Sequence, residues 1–143
     1  MKWLVLNGPN INQTGTRETN VYGILPYEEM MESIVAYGKE QNQEIICRQS
    51  NHEGQLIDWI QNAVEEGFKG IVINPGAFTH YSYALYDVIK GSRLPFVEIH
   101  MSNIYAREAF RQKSVTASAC KGQISGFGID SYFLGLQGLW MNR

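Results

Sequence analysis

The sequence predicts an α/β fold with a parallel sheet in the middle of three layers. Two observations carry this: strand-length apolar runs alternate with helix-periodic segments along the chain, and the polar residues gather where the apolar runs end. At 143 residues, with 44% hydrophobic and 18% charged, the chain has the composition of one globular domain spanning residues 1–143.

Lys2–Asn7 is a short apolar run that reads as the first strand. Tyr27–Gln41 has helical spacing, with Met30, Met31, Ile34 and Val35 on one stripe. Glu44–Gln49 reads as a second strand. Gly54–Glu66 carries Leu56, Ile57, Ile60, Ala63 and Val64 at intervals of three and four, with Gly67 as the C-terminal cap. A β-branched strand follows at Gly70–Asn74, a helix at Tyr83–Lys90, and strands at Phe96–His100 and Gln123–Phe127. Ser131–Leu139 closes the chain as a helix. Five strands in alternation with helices suit a flavodoxin-like, doubly wound, five-stranded parallel sheet. In such folds ligands bind outside the carboxyl ends of the strands, at the switch point.

One segment departs from this economy. From about residue 8 to 26 no periodicity is visible, and Gly8, Gly15 and Gly23 punctuate the stretch. A loop of this length after the first strand lies over the expected crevice and is expected to act as a lid.

Charge and cysteine usage exclude several classes. The formal charge of −2 leaves no basic surplus for nucleic acid. The N-terminal apolar run is too short for a signal peptide or membrane span, so a cytoplasmic protein without membrane partners is expected. Cys47 and Cys120 stand apart without metal or redox spacing and read as small buried residues. Gly126-Phe127-Gly128 echoes a dinucleotide fingerprint, but Ser131 occupies the third glycine position, and a tight turn explains it. No phosphate-loop, zinc or nucleophile-elbow motif occurs; His52 beside Glu53 reads as a loop or interface residue. No cofactor and no metal are therefore expected.

The strand ends hold an unusual collection: Asn7-Gly8-Pro9-Asn10, then Asn74-Pro75-Gly76-Ala77-Phe78-Thr79-His80, then Glu98 to Asn103, with Arg107 and Arg111 beyond. Any one of these suits a turn or a satisfied buried polar group. A fold alone does not require Asn, His and Arg to cluster at one sheet edge.

The stretches NGPN (7–10), GTRE (15–18), VYG (21–23), QSNHEGQLIDWI (49–60), NPGAFTHYSYALYD (74–87), EIHMSNIYAREAFR (98–111) and GQISGFGIDSY (122–132) resemble type II 3-dehydroquinate dehydratases, in order and across essentially the whole chain. The resemblance implies a hydro-lyase that converts 3-dehydroquinate to 3-dehydroshikimate through an enolate, serving aromatic biosynthesis or quinate catabolism. It also implies a homo-oligomer, a dodecamer of trimers. By the same resemblance Tyr22 matches the catalytic base and Arg17 the lid arginine. Asn10 matches an amide linked to the enolate-stabilising water, His100 the general acid, and Glu98 the carboxylate that orients it. Asn74, with the backbone N–H groups of Met101 and Ser102, matches the carboxylate-binding group. His80 and Arg111 match hydroxyl-binding residues, and Asp87 one that reaches a neighbouring subunit's site. Gln13 and Thr14 replace the family's usual apolar lid residues, and Thr19 replaces a proline, which broadens the lid's unbound ensemble.

The chemistry agrees with these residue types. A phenol titrates near roughly 10, so a tyrosine base needs a cation such as Arg17 to favour its phenolate. Imidazole is the side chain suited to proton donation near neutral pH. Glu98 and His100, two apart on a strand, project from one face and can pair. The residues oppose two other readings. Schiff-base dehydration needs a lysine in an apolar pocket, and Lys2, Lys39, Lys69, Lys90, Lys113 and Lys121 fall at the N-terminus, at helix ends or in loops. A flavodoxin-like binding or assembly module without catalysis is opposed by the joint presence of Tyr22, Arg17, His100 and Arg111.

Overall fold

A computed structural model describes residues 1–15 and 25–141. Five strands, β1 (Lys2–Asn7), β2 (Glu44–Gln49), β3 (Phe68–Asn74), β4 (Phe96–His100) and β5 (Gly122–Ser125), form one sheet in the order β2-β1-β3-β4-β5. Every neighbouring pair is parallel. The described helices of α type are α1 (Tyr27–Glu40), α2 (Glu53–Asn62), α3 (Tyr83–Gly91) and α4 (Asp130–Met141). The strand order is that of the flavodoxin-like fold, with its switch point between β1 and β3.

Side-chain alternation on the strands builds two cores. Trp3 and Val5 of β1 face one side with Val72 and Ile99, under Met30 and Ile34 of α1 and Leu136 of α4. Leu4 and Leu6 face the other side with Ile71 and Ile73, under Leu56 and Ile60 of α2 and Leu85 and Ile89 of α3. A parallel sheet buried on both faces needs apolar residues of both parities, which is why β1 reads as an unbroken apolar run. No helix of the described residues is long and apolar enough to cross a membrane.

Several boundaries differ from expectation, the last helix among them, which runs two residues further, to Met141. Helix α2 ends at Asn62, four residues early, and Ala63–Gly67 forms a turn closed by Gly67 N–H to Val64 O and Phe68 N–H to Ala63 O. Val64 is consequently exposed and not part of the core stripe. Strand β3 starts two residues earlier than its β-branched run, because Phe68 plugs the second core. Strand β5 stops at Ser125, since Gly126 takes a left-handed φ of 102° that no ladder accommodates, and Gly128 a φ of 59°. The Gly126–Gly128 segment is thus the tight turn the sequence suggested.

The expected lid is only partly irregular. Ile11–Gln13 forms a single 3-10 turn, Ile11 and Thr14 are buried, and Thr14 Oγ1 donates to Ile11 O at 2.6 Å. Residues 16–24 lie outside the described residues, and with them Arg17, Thr19 and Tyr22.

Candidate active site

Strand register sets the site. Asn7 of β1 is level with Gln49 of β2 and Asn74 of β3, so three strands end together in side-chain amides. The loops beyond them come very close: Gly8 N–H donates to Asn74 O at 2.8 Å, and a Cβ on Gly8 would lie 2.3 Å from the Pro75 carbonyl oxygen. Only glycine allows that approach. Asn10 then turns the chain in a left-handed conformation (φ 66°), a region that asparagine tolerates, and its N–H is held by Asn51 Oδ1 at 3.0 Å.

Between these loops and the end of β4 lies a cavity of about 100 Å³. Asn10, Asn74, His80, His100, Met101, Ser102 and Arg111 all line it, as do Ile11 and Arg107. Two guanidinium groups and two imidazoles thus face a space with no acidic side chain among its described lining residues, an environment suited to an anion. A larger cleft of about 530 Å³, lined by Ile60, Val64, Glu65, Val88 and Arg93, contains none of these residues.

Behind the cavity, Glu98 is fully buried and its carboxylate is surrounded by donors. His100 Nε2 lies 2.9 Å from Oε2, so the two side chains do pair across one strand face. Thr79 Oγ1 (3.0 Å), Ser114 Oγ (2.8 Å) and Gln123 Nε2 (2.9 Å) also donate to Oε2, and Thr116 Oγ1 donates to Oε1. Burial alone would raise the Glu98 pKa; the bond and charge of His100, with the Thr116 and Gln123 donors, outweigh it and hold the group at about 2. An ionised carboxylate only accepts, so Nε2 of His100 carries a hydrogen and Nδ1 is the nitrogen left over.

His80 sits across the cavity with Nδ1 2.8 Å from Lys113 O and its ring edge-on to Phe110. Burial lowers its pKa, the Lys113 carbonyl offsets part of this, and the charges of His100 and Arg111 lower it further. Arg111 donates through Nε to Glu108 Oε2 at 2.6 Å, and Arg107 Nη1 to Ser102 Oγ at 3.4 Å. Asn74 Nδ2 donates to the Tyr132 hydroxyl at 2.9 Å, and its Oδ1 accepts from Gly76 N–H at 3.3 Å. Asp87 is exposed on α3 and does not line this cavity.

Several contributors were not singled out from sequence. Gln123 is level with Glu98 because β5 pairs with β4, which only the strand order reveals. Thr79, Ser114 and Thr116 are ordinary loop residues until the chain brings them over Glu98. Tyr132 belongs to the last helix and reaches across the sheet end to Asn7 and Asn74. Cys47 and Cys120 are free and half-buried, their thiols each raised to about 12, by burial in both cases. Among the described residues no cluster of three or more His, Cys, Asp or Glu could hold a metal ion.

A family model described as dehydroquinase class II matches residues 1–140. The chain belongs to the class II dehydroquinase family. A 3-dehydroquinate dehydratase of Deinococcus radiodurans is 55% identical over 134 residues, covering 94% of each chain. That of Clostridium beijerinckii is 51% identical over 143 residues, covering 100% of this chain and 98% of its own. The crystal structure of the type II dehydroquinase of Butyrivibrio crossotus superposes with a TM-score of 0.95 at 50% identity, over 97% of each chain. The flavodoxin-like frame described above is therefore that of class II dehydroquinases.

Proposed function

We propose that this chain is a hydro-lyase that removes water from 3-dehydroquinate to give 3-dehydroshikimate, with no cofactor. The observation that carries the reading is the buried Glu98–His100 pair opening onto an anion-suited cavity, in a chain that matches the class II dehydroquinase model over residues 1–140.

In this reading the ring carboxylate takes donors from Asn74 and from the backbone N–H groups of Met101 and Ser102, which follow β4 directly. His80 and Arg111 bind ring hydroxyls. Tyr22, its phenolate favoured by Arg17, removes the proton α to the ketone, and Asn10 steadies the enolate through a water. The β-hydroxyl then leaves with a proton from His100. Because Nε2 is committed to Glu98, that proton comes from Nδ1. Glu98 touches no reacting atom and orients the imidazole. Asp87, exposed and outside the cavity of its own chain, completes a neighbouring subunit's site in a closed homo-oligomer, a dodecamer of four trimers. The exposed Tyr81 and Tyr83 on the same segment suit such an interface.

The division of labour is tested by following 3-dehydroquinate in D2O by NMR. With Tyr22→Phe the ligand should bind, but exchange at the α-carbon should fall with turnover, by several powers of ten. His100→Ala should exchange the α-proton while losing net dehydration. Near-wild-type dehydration by either variant would remove that residue from its role.

A further inference from the structure

A side-chain amide recognises an anion only through its NH2 end; turned by 180° it presents oxygen and repels. Asn74 carries the carboxylate-binding role under the function proposed above, and the present inference rests on that reading. Nothing within Asn74 decides which way its amide lies. The decision comes from a buried line of polar groups under the sheet's end.

At the centre of this line is Tyr132 of α4, fully buried. Its hydroxyl donates to Asn7 Oδ1 at 2.5 Å and accepts from Asn74 Nδ2 at 2.9 Å. Asn7 and Asn74 are level with one another on β1 and β3, so one hydroxyl reaches both. Backbone groups at the two ends determine the polarity of the line. At one end, Asn7 Nδ2 faces the Tyr27 hydroxyl at 3.4 Å and the Met31 sulfur and Arg48 carbonyl at 3.5 Å each, and of these the carbonyl can only accept. Asn7 therefore turns Oδ1 to Tyr132 and takes the single phenolic hydrogen. The Tyr132 oxygen is left as an acceptor, so Asn74 must give it an N–H. At the other end, Gly76 N–H can only donate, and Asn74 Oδ1 receives it at 3.3 Å. Both ends require the same orientation, and burial pushes the Tyr132 phenol far above its ordinary pKa, so it keeps its hydrogen.

We propose that Tyr132 is a positioning residue of the active site: through Asn7 it locks the Asn74 amide so that a second N–H is available to the substrate carboxylate. Without the hydroxyl, Asn74 loses the acceptor that fixes its nitrogen, and the longer 3.3 Å bond from Gly76 N–H is left alone to hold the amide, so the wrong orientation becomes populated. The consequence falls on substrate affinity and not on the proton transfers, which belong to other residues.

The test is steady-state kinetics on assembled protein with 3-dehydroquinate, with thermal unfolding measured alongside. Wild-type turnover is read first. An inert wild-type chain overturns the dehydratase reading and this proposal with it; an active one confines any failure to the proposal. Tyr132→Phe should raise KM by about tenfold or more while kcat stays within about threefold. Added to Asn74→Ala, it should change KM no further, because its route of action is already gone. An unchanged KM in folded Tyr132→Phe, an equal fall in kcat, or additive effects on KM in the double variant would each overturn the proposal. Should Tyr132→Phe not fold, Asn7→Leu asks the same question from the other side. It removes the acceptor for the phenolic hydrogen, which then turns on Asn74 and forces the amide over. KM should rise as for Tyr132→Phe, and an unmoved KM would again overturn the proposal.

Discussion

Five donors meet the Glu98 carboxylate, which is fully buried, and this has consequences for both stability and turnover. Its pKa is held at about 2 against a usual 4.5. For a carboxylate with a depressed folded pKa, the stabilisation is fully present above pH 4.5 and is lost as pH falls through 2. Its size is on the order of 3 kcal/mol. Urea unfolding between pH 6 and 2 should show that loss in the wild type, and Glu98→Gln should flatten it. The same substitution keeps an oxygen for the four donors at Oε2, but it turns an amide N–H onto Thr116 and removes the charge that strengthens the bond from His100, costing about 1–3 kcal/mol at neutral pH. Turnover should fall by about two orders of magnitude as His100 loses its orientation. A variant with wild-type kcat would show that Glu98 has no part in placing the imidazole. Parity along the β4 strand made the Glu98–His100 pair legible in the sequence. The donors from Thr79, Ser114, Thr116 and Gln123 were not legible, because they depend on which strand neighbours β4 and on loops folding over it.

At the scale of elements, β1, β2 and β4 are the strands whose bounds the sequence gives most accurately. The bounds of β1, β2 and β4 coincide with those read from the sequence, each strand ending in a polar residue, Asn7, Gln49 and His100, that starts the loop side of the sheet. Helix α2 was read too long because Ala63 and Val64 continue its apolar spacing, yet the chain must already turn to bring Phe68 into β3. The meeting of the β1 and β3 loops depends on Gly8, and here a prediction separates space from propensity. Gly8→Ala places a methyl 2.3 Å from a backbone oxygen, so the two loops must part. It should cost about 1–3 kcal/mol in thermal or urea unfolding and weaken substrate binding. Gly54→Ala, near the start of α2 with nothing within 4 Å of the added Cβ, should instead stabilise by about 0.5 kcal/mol. A tolerated Gly8→Ala would contradict the close approach on which the cavity's shape depends.

For the whole molecule, the chain presents several large aromatic side chains to its surroundings, among them Tyr81, Tyr83, Phe110 and Phe127. Asp87 lies on the α3 helix beside the first two and away from its own cavity. Under the proposed assembly, light scattering should report a closed homo-oligomer. Asp87→Ala should raise KM with little change in unfolding temperature, since the side chain is exposed on its own subunit. Mixing Asp87→Ala with Tyr22→Phe subunits should restore part of the activity if subunits exchange; a fully active monomer would refute the shared site. The central claim is that the cavity at the ends of β1, β3 and β4 serves dehydration by protein side chains alone. It is tested most directly by adding 3-dehydroquinate to purified protein dialysed exhaustively against chelator and following absorbance of the conjugated enone. The account predicts steady enone formation at the same rate before and after dialysis. No enone from folded, assembled protein, or activity that returns only when a metal or nucleotide is added back, would contradict it.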